Sequence, residues 1–205
     1  MLTVYLVRHG KTEWNEQSRW QGRGNGELTQ EGIQGALRLQ SRLKDEPIQM
    51  VYSSSSKRAY HTAELIVGDR PIPIIKDDLL REMHFGDWEG RTKSEVMEQY
   101  GPEVQAFWDT PHLYSRKLGE QFPDVYKRAE EAWNKIVDKH VSGTILLVSH
   151  SIFLRVLLSY IKEIPLEHVF HQQPLLNTSL SKLEVQDGEA KIVFQGDISH
   201  LDPTS

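Results

Sequence analysis

The chain has 205 residues, of which 38% are hydrophobic and 26% are charged, and its formal net charge is −5. This composition is typical of a globular domain, and the acidic balance argues against a surface for nucleic acid or for an anionic membrane. The sequence contains no cysteine, which excludes disulfides, thiol nucleophiles and zinc–thiolate sites. We therefore expect no nucleic-acid partner and no chemistry on sulfur.

The first apolar run, residues 2–7, is too short for a signal sequence and has no basic segment before it. Elsewhere no stretch of the sequence reaches the length of a membrane span. These features predict a cytoplasmic protein without a membrane partner.

Strand and helix patterns alternate along most of the chain. The predicted strands are 2–7, 50–52, 71–75, 144–148, 179–185 and 190–194, and the last two flank the hairpin dipeptide Asp187-Gly188. The predicted helices run from Thr29 to about Lys44, over 57–67, from about Asp124 to His140, and onward from His150. This alternation predicts an α/β fold, a three-layer sandwich with a mainly parallel central sheet, helices on both faces and a C-terminal antiparallel hairpin.

The segment 79–122 differs from the rest of the chain. It is rich in aromatic residues, has little strand character and contains a capping box that begins at Thr92 and ends at Glu95. We interpret it as a helical insertion that covers one end of the sheet.

Two predicted strands end in a histidine. The first leads into Arg8-His9-Gly10, and the strand 144–148 leads into Ser149-His150. Because ligands of open α/β sheets lie beyond the carboxyl ends of the strands, both imidazoles are expected at one edge. A neutral imidazole is a competent nucleophile toward phosphorus, and guanidinium groups bind phosphate oxygens, so the pattern favours phosphoryl transfer.

Two further side chains are candidates on local grounds. Arg58 opens the predicted helix 57–67 after a run of serines, where an arginine could complete an anion site or could simply be solvated. Glu82 lies among apolar and aromatic neighbours, which disfavour the charged form of a carboxyl and suit it to protonate a leaving oxygen. It could equally pair with Arg81 or with a lysine.

Several motifs, taken together, resemble the histidine phosphatase superfamily, in the branch of cofactor-dependent phosphoglycerate mutase relatives and, within it, the broad-specificity phosphatases. They occur in the order of that family and cover most of the chain. The motifs are Arg8-His9-Gly10-x-Thr12-x-Trp14-Asn15, Gln21-Gly22, Leu28-Thr29-x-x-Gly32, Ser53-Ser54-x-x-x-Arg58-Ala59-x-x-Thr62-Ala63, Glu82-x-x-Phe85-Gly86-x-Trp88-Glu89-Gly90 and Val148-Ser149-His150.

The resemblance implies a single domain over 1–205 with the insertion at 79–122, and chemistry without a metal or other cofactor. It implies that His9 is the nucleophile that becomes phosphohistidine and that Glu82 is the proton donor to the leaving alcohol. The other phosphoryl-binding groups that it implies are Arg8, Arg58 and His150 at the reacting centre, with Asn15, Gln21 and Gly22 lining the phosphate pocket.

The resemblance also carries alternatives. Mutases of the family have a longer insertion between the acid and the second histidine, so the compact interval here favours hydrolysis of a small phosphomonoester to inorganic phosphate. Ser151 stands where the family usually has glycine, and it could narrow the pocket or add a contact to the substrate. A phosphoglycerate mutase, or a phosphate-binding module with little turnover, remains an alternative.

The substrate is left open by the sequence. The pocket wall could be apolar, formed by aromatic residues of the segment 79–122 and by Phe153, and would then suit bulky phosphoesters. Alternatively, Arg116 and Lys117 could meet a carboxylate of the substrate.

Overall fold

Six strands form one sheet in the structure, a computed structural model that describes residues 1–201. The strands are β1 (Leu2–Arg8), β2 (Ile48–Ser54), β3 (Ile74–Asp77), β4 (Gly143–Ser149), β5 (Leu180–Gln186) and β6 (Glu189–Asp197). They lie in the order β3-β2-β4-β1-β5-β6. The first four of these are parallel, whereas β5 is antiparallel to β1 and β6 is antiparallel to β5. The predicted mainly parallel sheet with a C-terminal hairpin is confirmed.

Helices cover both faces of the sheet. Within residues 1–201 they are α1 (Glu13–Glu16), α2 (Gln30–Arg42), α3 (Lys57–Val67), α4 (Lys93–Asp109), α5 (Phe122–Lys139) and α6 (Ser151–Ile161). Successive side chains of a strand point to opposite faces, and along β1 they feed two apolar clusters. Val4 and Leu6 join α4, α5 and α6 in the larger cluster, while Tyr5 and Val7 join α2 and α3 in the smaller one. The predicted three layers are therefore present.

The local signals for the elements mostly hold. The Thr29 hydroxyl caps α2 by accepting the Gly32 N–H at 3.1 Å, and α3 has its predicted bounds. At the β5–β6 hairpin, Asp187 and Gly188 have φ angles of 53° and 85°, the left-handed pair that a two-residue hairpin turn requires.

Some predicted boundaries were wrong, and one short helix was missed. The strand predicted over 71–75 begins only at Ile74, because Pro71 and Pro73 have no N–H to give to a ladder. Helix α5 begins at Phe122 rather than near Asp124, since a capping box between Gln121 and Asp124 closes its first turn. The short helix α1, capped by Thr12, was not predicted.

Residues 78–121 fold into α4 and three 3-10 turns, which are Asp78–Leu80, Gly86–Trp88 and Pro111–Leu113. Aromatic rings join this segment to the loop after α1, because the Trp20 ring lies 4.9 Å from Phe85 and 4.8 Å from Trp88 between centroids. This packing fixes the part of the chain that directly follows Glu82. The single domain over 1–205 with an insertion at 79–122 stays a prediction, and residues 202–205 lie outside the described part of the chain.

None of the helices found in residues 1–201 combines the length and the apolar character needed to cross a bilayer.

Candidate active site

The two predicted histidines meet at the carboxyl edge of the sheet. Arg8 and Ser149 are register partners in the parallel β1–β4 ladder, and the His9 N–H donates to the Ser149 carbonyl at 2.9 Å. His9 and His150, the residues that follow these partners, leave the sheet side by side. Their ring centroids lie 5.1 Å apart at an interplanar angle of 57°, and both rings are buried.

The contacts of His9 determine which of its ring nitrogens carries the proton. Nδ1 lies 2.7 Å from the Gly10 carbonyl oxygen, which can only accept a hydrogen bond, so Nδ1 is protonated. The lone pair is therefore on Nε2, where it accepts from Nε of Arg58 at 3.3 Å. Burial, followed by the charges of Arg58 and Arg8, lowers the pKa of His9 well below its ordinary value of 6.5. The ring is thus uncharged at neutral pH, with the lone pair of Nε2 available to act as a nucleophile.

Arg58 is held rigidly at the start of α3. It is 1% exposed, and its two terminal nitrogens donate to the carbonyls of Gly24 and Gly22 at 2.6 and 2.7 Å. Burial lowers its pKa to about 10, so the guanidinium stays charged at neutral pH. The sequence left open whether this arginine is solvated, and the structure shows that it is buried against His9.

Arg8 supplies a second buried cation. Its Nη1 donates to the Leu175 carbonyl at 2.8 Å, while its buried Nε has no hydrogen-bond partner within residues 1–201. Burial lowers the pKa of Arg8 to about 10, and the nearby charge of Glu82 opposes that shift. A buried cationic N–H without a partner suits a bound anion.

His150 is fixed from the strand on its other side. Its Nε2 lies 2.8 Å from the Ser54 hydroxyl oxygen at the end of β2, and its buried Nδ1 has no partner within the described residues. Burial and then the charge of Arg58 hold the pKa of His150 well below 6.5. Two uncharged imidazoles and two guanidiniums therefore surround the same small space.

Glu82 differs from its expected setting. Its carboxylate accepts the N–H groups of Met83 and Phe153 through Oε1, at 2.9 and 3.0 Å, and that of Ile152 through Oε2, at 3.2 Å. Two of these donors belong to the first turn of α6, so Glu82 caps that helix. Its neighbours are apolar as predicted, but the carboxylate is also engaged by three backbone N–H donors.

The predicted phosphate-pocket residues already use their oxygen atoms as hydrogen-bond acceptors within the protein. Asn15 Oδ1 accepts the Thr12 N–H at 3.0 Å, and Gln21 Oε1 lies 3.0 Å from the Thr12 hydroxyl, so each amide keeps its NH₂ donors for a ligand. The Gly22 carbonyl accepts from Arg58. Ser151 is the first residue of α6, directly after His150, and is partly exposed.

Three contributors to the site were not assigned from the sequence. Ser54 and Glu89 lie within the motifs but received no role, and Glu89 accepts the N–H groups of Phe85, Arg23 and Gly24. Asn177 gave no signal at all, yet its side-chain amide donates to the His9 carbonyl at 3.0 Å. A contact across so much sequence separation leaves no local pattern.

The residues suggested as substrate contacts differ in how accessible they are. The guanidinium of Arg116 is engaged by Asp87 at 2.7 Å and lies over the Trp88 ring at 4.4 Å, so it is committed within the protein. Of the aromatic residues, Phe85, Phe107 and Tyr114 are buried, whereas Trp108 is 42% exposed. Phe153 is buried as well, so Trp108 is the exposed ring of this group.

Comparison with known proteins agrees with this geometry. The family described as the histidine phosphatase superfamily, branch 1, matches residues 4–198. The structure of the YhfR protein of Bacillus stearothermophilus is 42% identical with a TM-score of 0.96, over 98% of this chain and 100% of that one.

Curated relatives carry two kinds of name. Phosphoserine phosphatase 1 of Hydrogenobacter thermophilus is 33% identical over 76% of this chain and 74% of its own length. A probable phosphoglycerate mutase of Cronobacter sakazakii is 34% identical over 98% of this chain and 96% of its own length. The resemblance read from the motifs is confirmed, and the chain belongs to the histidine phosphatase superfamily.

Proposed function

We propose that the protein is a metal-independent phosphatase that hydrolyses small phosphomonoesters through a phosphohistidine at His9. The observation that supports this most directly is the uncharged Nε2 of His9, directed at Arg58 Nε 3.3 Å away and facing a second imidazole at 5.1 Å. An unprotonated ring nitrogen among cations that bind phosphoryl oxygens is what in-line attack on phosphorus requires.

The first half-reaction transfers the phosphoryl group to the enzyme. His9 Nε2 attacks phosphorus, the bond from phosphorus to the ester oxygen breaks, and Glu82 gives its proton to the leaving oxygen. A bound phosphoryl anion next to Glu82 disfavours a second negative charge there, which readies the carboxyl as an acid. The products are the free alcohol and a phosphoramidate on His9.

The second half-reaction releases phosphate. Water attacks phosphorus, Glu82 takes the proton from the water, and the bond from phosphorus to His9 Nε2 breaks. Arg8, Arg58 and His150 hold the phosphoryl oxygens throughout, with Asn15, Gln21, Gly22 and Ser151 around them. Because Arg58 and His150 are buried and held by hydrogen bonds before the substrate arrives, they need no reorganisation in the transition state.

The test uses an aryl phosphate in buffer containing EDTA. The wild-type enzyme should release inorganic phosphate and, when quenched during turnover, should carry an acid-labile phosphoryl label. His9→Ala should lose both, whereas His112→Ala, which alters an exposed histidine, should keep both. A label that persists in His9→Ala would refute the role of His9, and phosphate bound tightly without any release of product would favour a binding module instead.

A mutase is the second candidate, because several relatives bear that name. It would use the same phosphohistidine but return the phosphoryl group to another hydroxyl of the substrate. Incubation with 3-phosphoglycerate separates the two functions, since 2-phosphoglycerate marks a mutase and free phosphate marks a phosphatase. The compact interval between Glu82 and His150 supports hydrolysis.

A further inference from the structure

We propose that Asn177 is a positioning residue whose side-chain amide fixes the nucleophile His9 relative to the phosphate-pocket residue Asn15. The proposal rests on the proposed function for the identity of the reaction. Its physical basis is one NH₂ group that donates to both residues, to the His9 carbonyl at 3.0 Å and to Asn15 Oδ1 at 3.3 Å.

The carbonyl of His9 lies just beyond the end of a strand ladder. Strand β1 pairs with β5 from Leu2 to Val7, and the register partner of Val7 is Leu180. Asn177 lies three residues before Leu180, in the loop that leads into β5. Its side chain therefore supplies a donor to the nucleophile where the backbone ladder has stopped.

His9 is held on both sides of its backbone. Its N–H donates to the Ser149 carbonyl of β4 at 2.9 Å, and its carbonyl accepts from the Asn177 amide at 3.0 Å. The Thr178 N–H is a weaker second donor to that carbonyl, at 3.4 Å, because it lies nearer to the Arg8 carbonyl, at 3.0 Å. The Asn177 amide is thus the main donor to the His9 carbonyl.

The contacts determine how both amides are oriented. Asn15 Oδ1 also accepts the Thr12 N–H at 3.0 Å, so this atom is the oxygen of the Asn15 amide. A flipped Asn177 amide would turn its own oxygen toward two acceptors, which is unfavourable. With its oxygen held by Asn177 and Thr12, Asn15 keeps its NH₂ group for a phosphoryl oxygen.

The loop holds Asn177 in place through the residue that follows it. Thr178 is 2% exposed, and its φ angle of 56° lies in the left-handed region, which a threonine adopts only where surrounding contacts impose it. Its hydroxyl donates to the Asn177 carbonyl at 2.7 Å, and its N–H donates to the Arg8 carbonyl. Asn177 therefore extends from a loop that is itself fixed to β1.

The shared amide matters because two distances must be correct at the same moment. Nε2 of His9 must lie in line with the leaving oxygen while Asn15 holds a phosphoryl oxygen. The buried guanidiniums of Arg8 and Arg58 still bind the anion without Asn177, so its loss should misplace the nucleophile more than it weakens binding. A misplacement of about 1 Å can lower a rate by about 100-fold.

Gln172 provides a matched control. It is partly exposed like Asn177 and lies in the same connection between α6 and β5. Its side-chain amide also donates to two neighbours, the Arg155 carbonyl at 3.0 Å and the Ser159 hydroxyl at 2.7 Å, both on α6. Asn177→Leu and Gln172→Met each keep the approximate size of the side chain and remove its donors, but only the first removes donors to the nucleophile and to Asn15.

The experiment measures phosphohistidine formation by rapid quench over a range of aryl phosphate concentrations. Asn177→Leu should lower the limiting rate constant by about 10- to 100-fold, while the concentration for half the limiting rate changes by less than about threefold. Gln172→Met should match the wild type. If Asn177→Leu does not fold, Asn177→Ala, which adds no apolar bulk, is measured in the same way.

A further measurement uses the wild-type protein alone. NMR should detect a scalar coupling across the hydrogen bond between the side-chain ¹⁵N of Asn177 and the carbonyl ¹³C of His9. Absence of this coupling in the folded wild type would remove the contact on which the proposal depends.

Two kinetic outcomes would overturn the proposal. One is an Asn177 variant with the limiting rate constant of Gln172→Met. The other is a variant in which only the half-saturating concentration rises, because that result marks a role in binding alone. Failure of the proposed function would be seen differently, as absence of phosphohistidine in the wild type, whereas the NMR coupling requires no turnover.

Discussion

Arg8 lies directly opposite Ser149 in the parallel ladder between β1 and β4. The next residue of each strand is a histidine, so the pairing register itself sets the 5.1 Å separation of the two rings. A slip of the register would carry one ring away from the other and reverse the faces of every side chain on the strand. The geometry of the candidate site is thus a consequence of the register in which the two buried strands pair within the core.

Arg58→Lys is expected to lower kcat/KM for a phosphomonoester by about 100-fold or more, although the charge is kept. The reason is geometric. One guanidinium contacts the Gly22 and Gly24 carbonyls and Nε2 of His9 at once, and a lysine ammonium on a flexible stem cannot match this planar arrangement. Steady-state kinetics with an aryl phosphate measures the loss.

The control for that variant is Arg38→Lys, at an exposed position of α2 where the guanidinium donates to the Leu201 carbonyl. It should retain wild-type kinetics. If Arg58→Lys were as active as Arg38→Lys, the buried guanidinium would have no part in binding the phosphoryl group.

Most of the sheet could be predicted because its strands are apolar runs that stop at polar residues. The endings of β1 and β4 made the meeting of His9 and His150 predictable from the order of the chain and the handedness of crossovers. The start of β3 could not be predicted in this way. The apolar side chains around Pro71 and Pro73 are typical of a strand, but the two prolines have no backbone N–H to donate.

Several contacts of the candidate site could not be predicted from the sequence because they depend on tertiary packing. The expected apolar setting of Glu82 was right about its neighbours, but the three N–H donors come partly from α6, whose position depends on the whole fold. Asn177 reaches the His9 carbonyl from the loop before β5, and Ser54 reaches His150 across the sheet. Contacts of this kind join distant segments of the chain, and no periodic pattern in the sequence predicts them.

The pH dependence of the two active-site histidines gives a second prediction. Burial and nearby arginines lower the pKa of His9 and of His150 well below 6.5, so both rings should stay uncharged as the pH falls through that value. In an NMR titration their C2 protons should not titrate as the pH falls through 6.5, whereas a blocked histidine peptide in the same buffer has its midpoint near 6.5. A midpoint at 6.5 or above for either ring would contradict the described burial.

A third prediction concerns stability toward acid. His200 is buried beside Arg42, and burial, followed by that charge, lowers its pKa from 6.5 to about 4. Because the unfolded chain binds a proton at higher pH than the folded one, this contribution to stability is complete above 6.5 and is lost as the pH falls toward 4. Between pH 7 and pH 5, proton uptake by His200 on unfolding should lower the free energy of unfolding by on the order of 2 kcal/mol.

Urea unfolding of the wild type and of His200→Gln at the two pH values isolates that effect. The glutamine cannot titrate, so the variant should lose less stability than the wild type between pH 7 and pH 5. His9 and His150 remain in both proteins and cancel in the difference. Equal losses would mean that His200 takes up no proton on unfolding in this range.

Glu82→Gln separates proton donation from structure. It should lower kcat/KM by about 100- to 10,000-fold for an alkyl phosphate, whose leaving oxygen needs a proton, and much less for p-nitrophenyl phosphate, whose leaving group is stable as an anion. Glu89→Gln is the matched control. Glu89 also accepts three backbone N–H groups, but they belong to Arg23, Gly24 and Phe85 and not to α6. Its effect should be the same for both substrates. A Glu82→Gln enzyme that loses equal activity on the two phosphates would show that the carboxyl only caps α6.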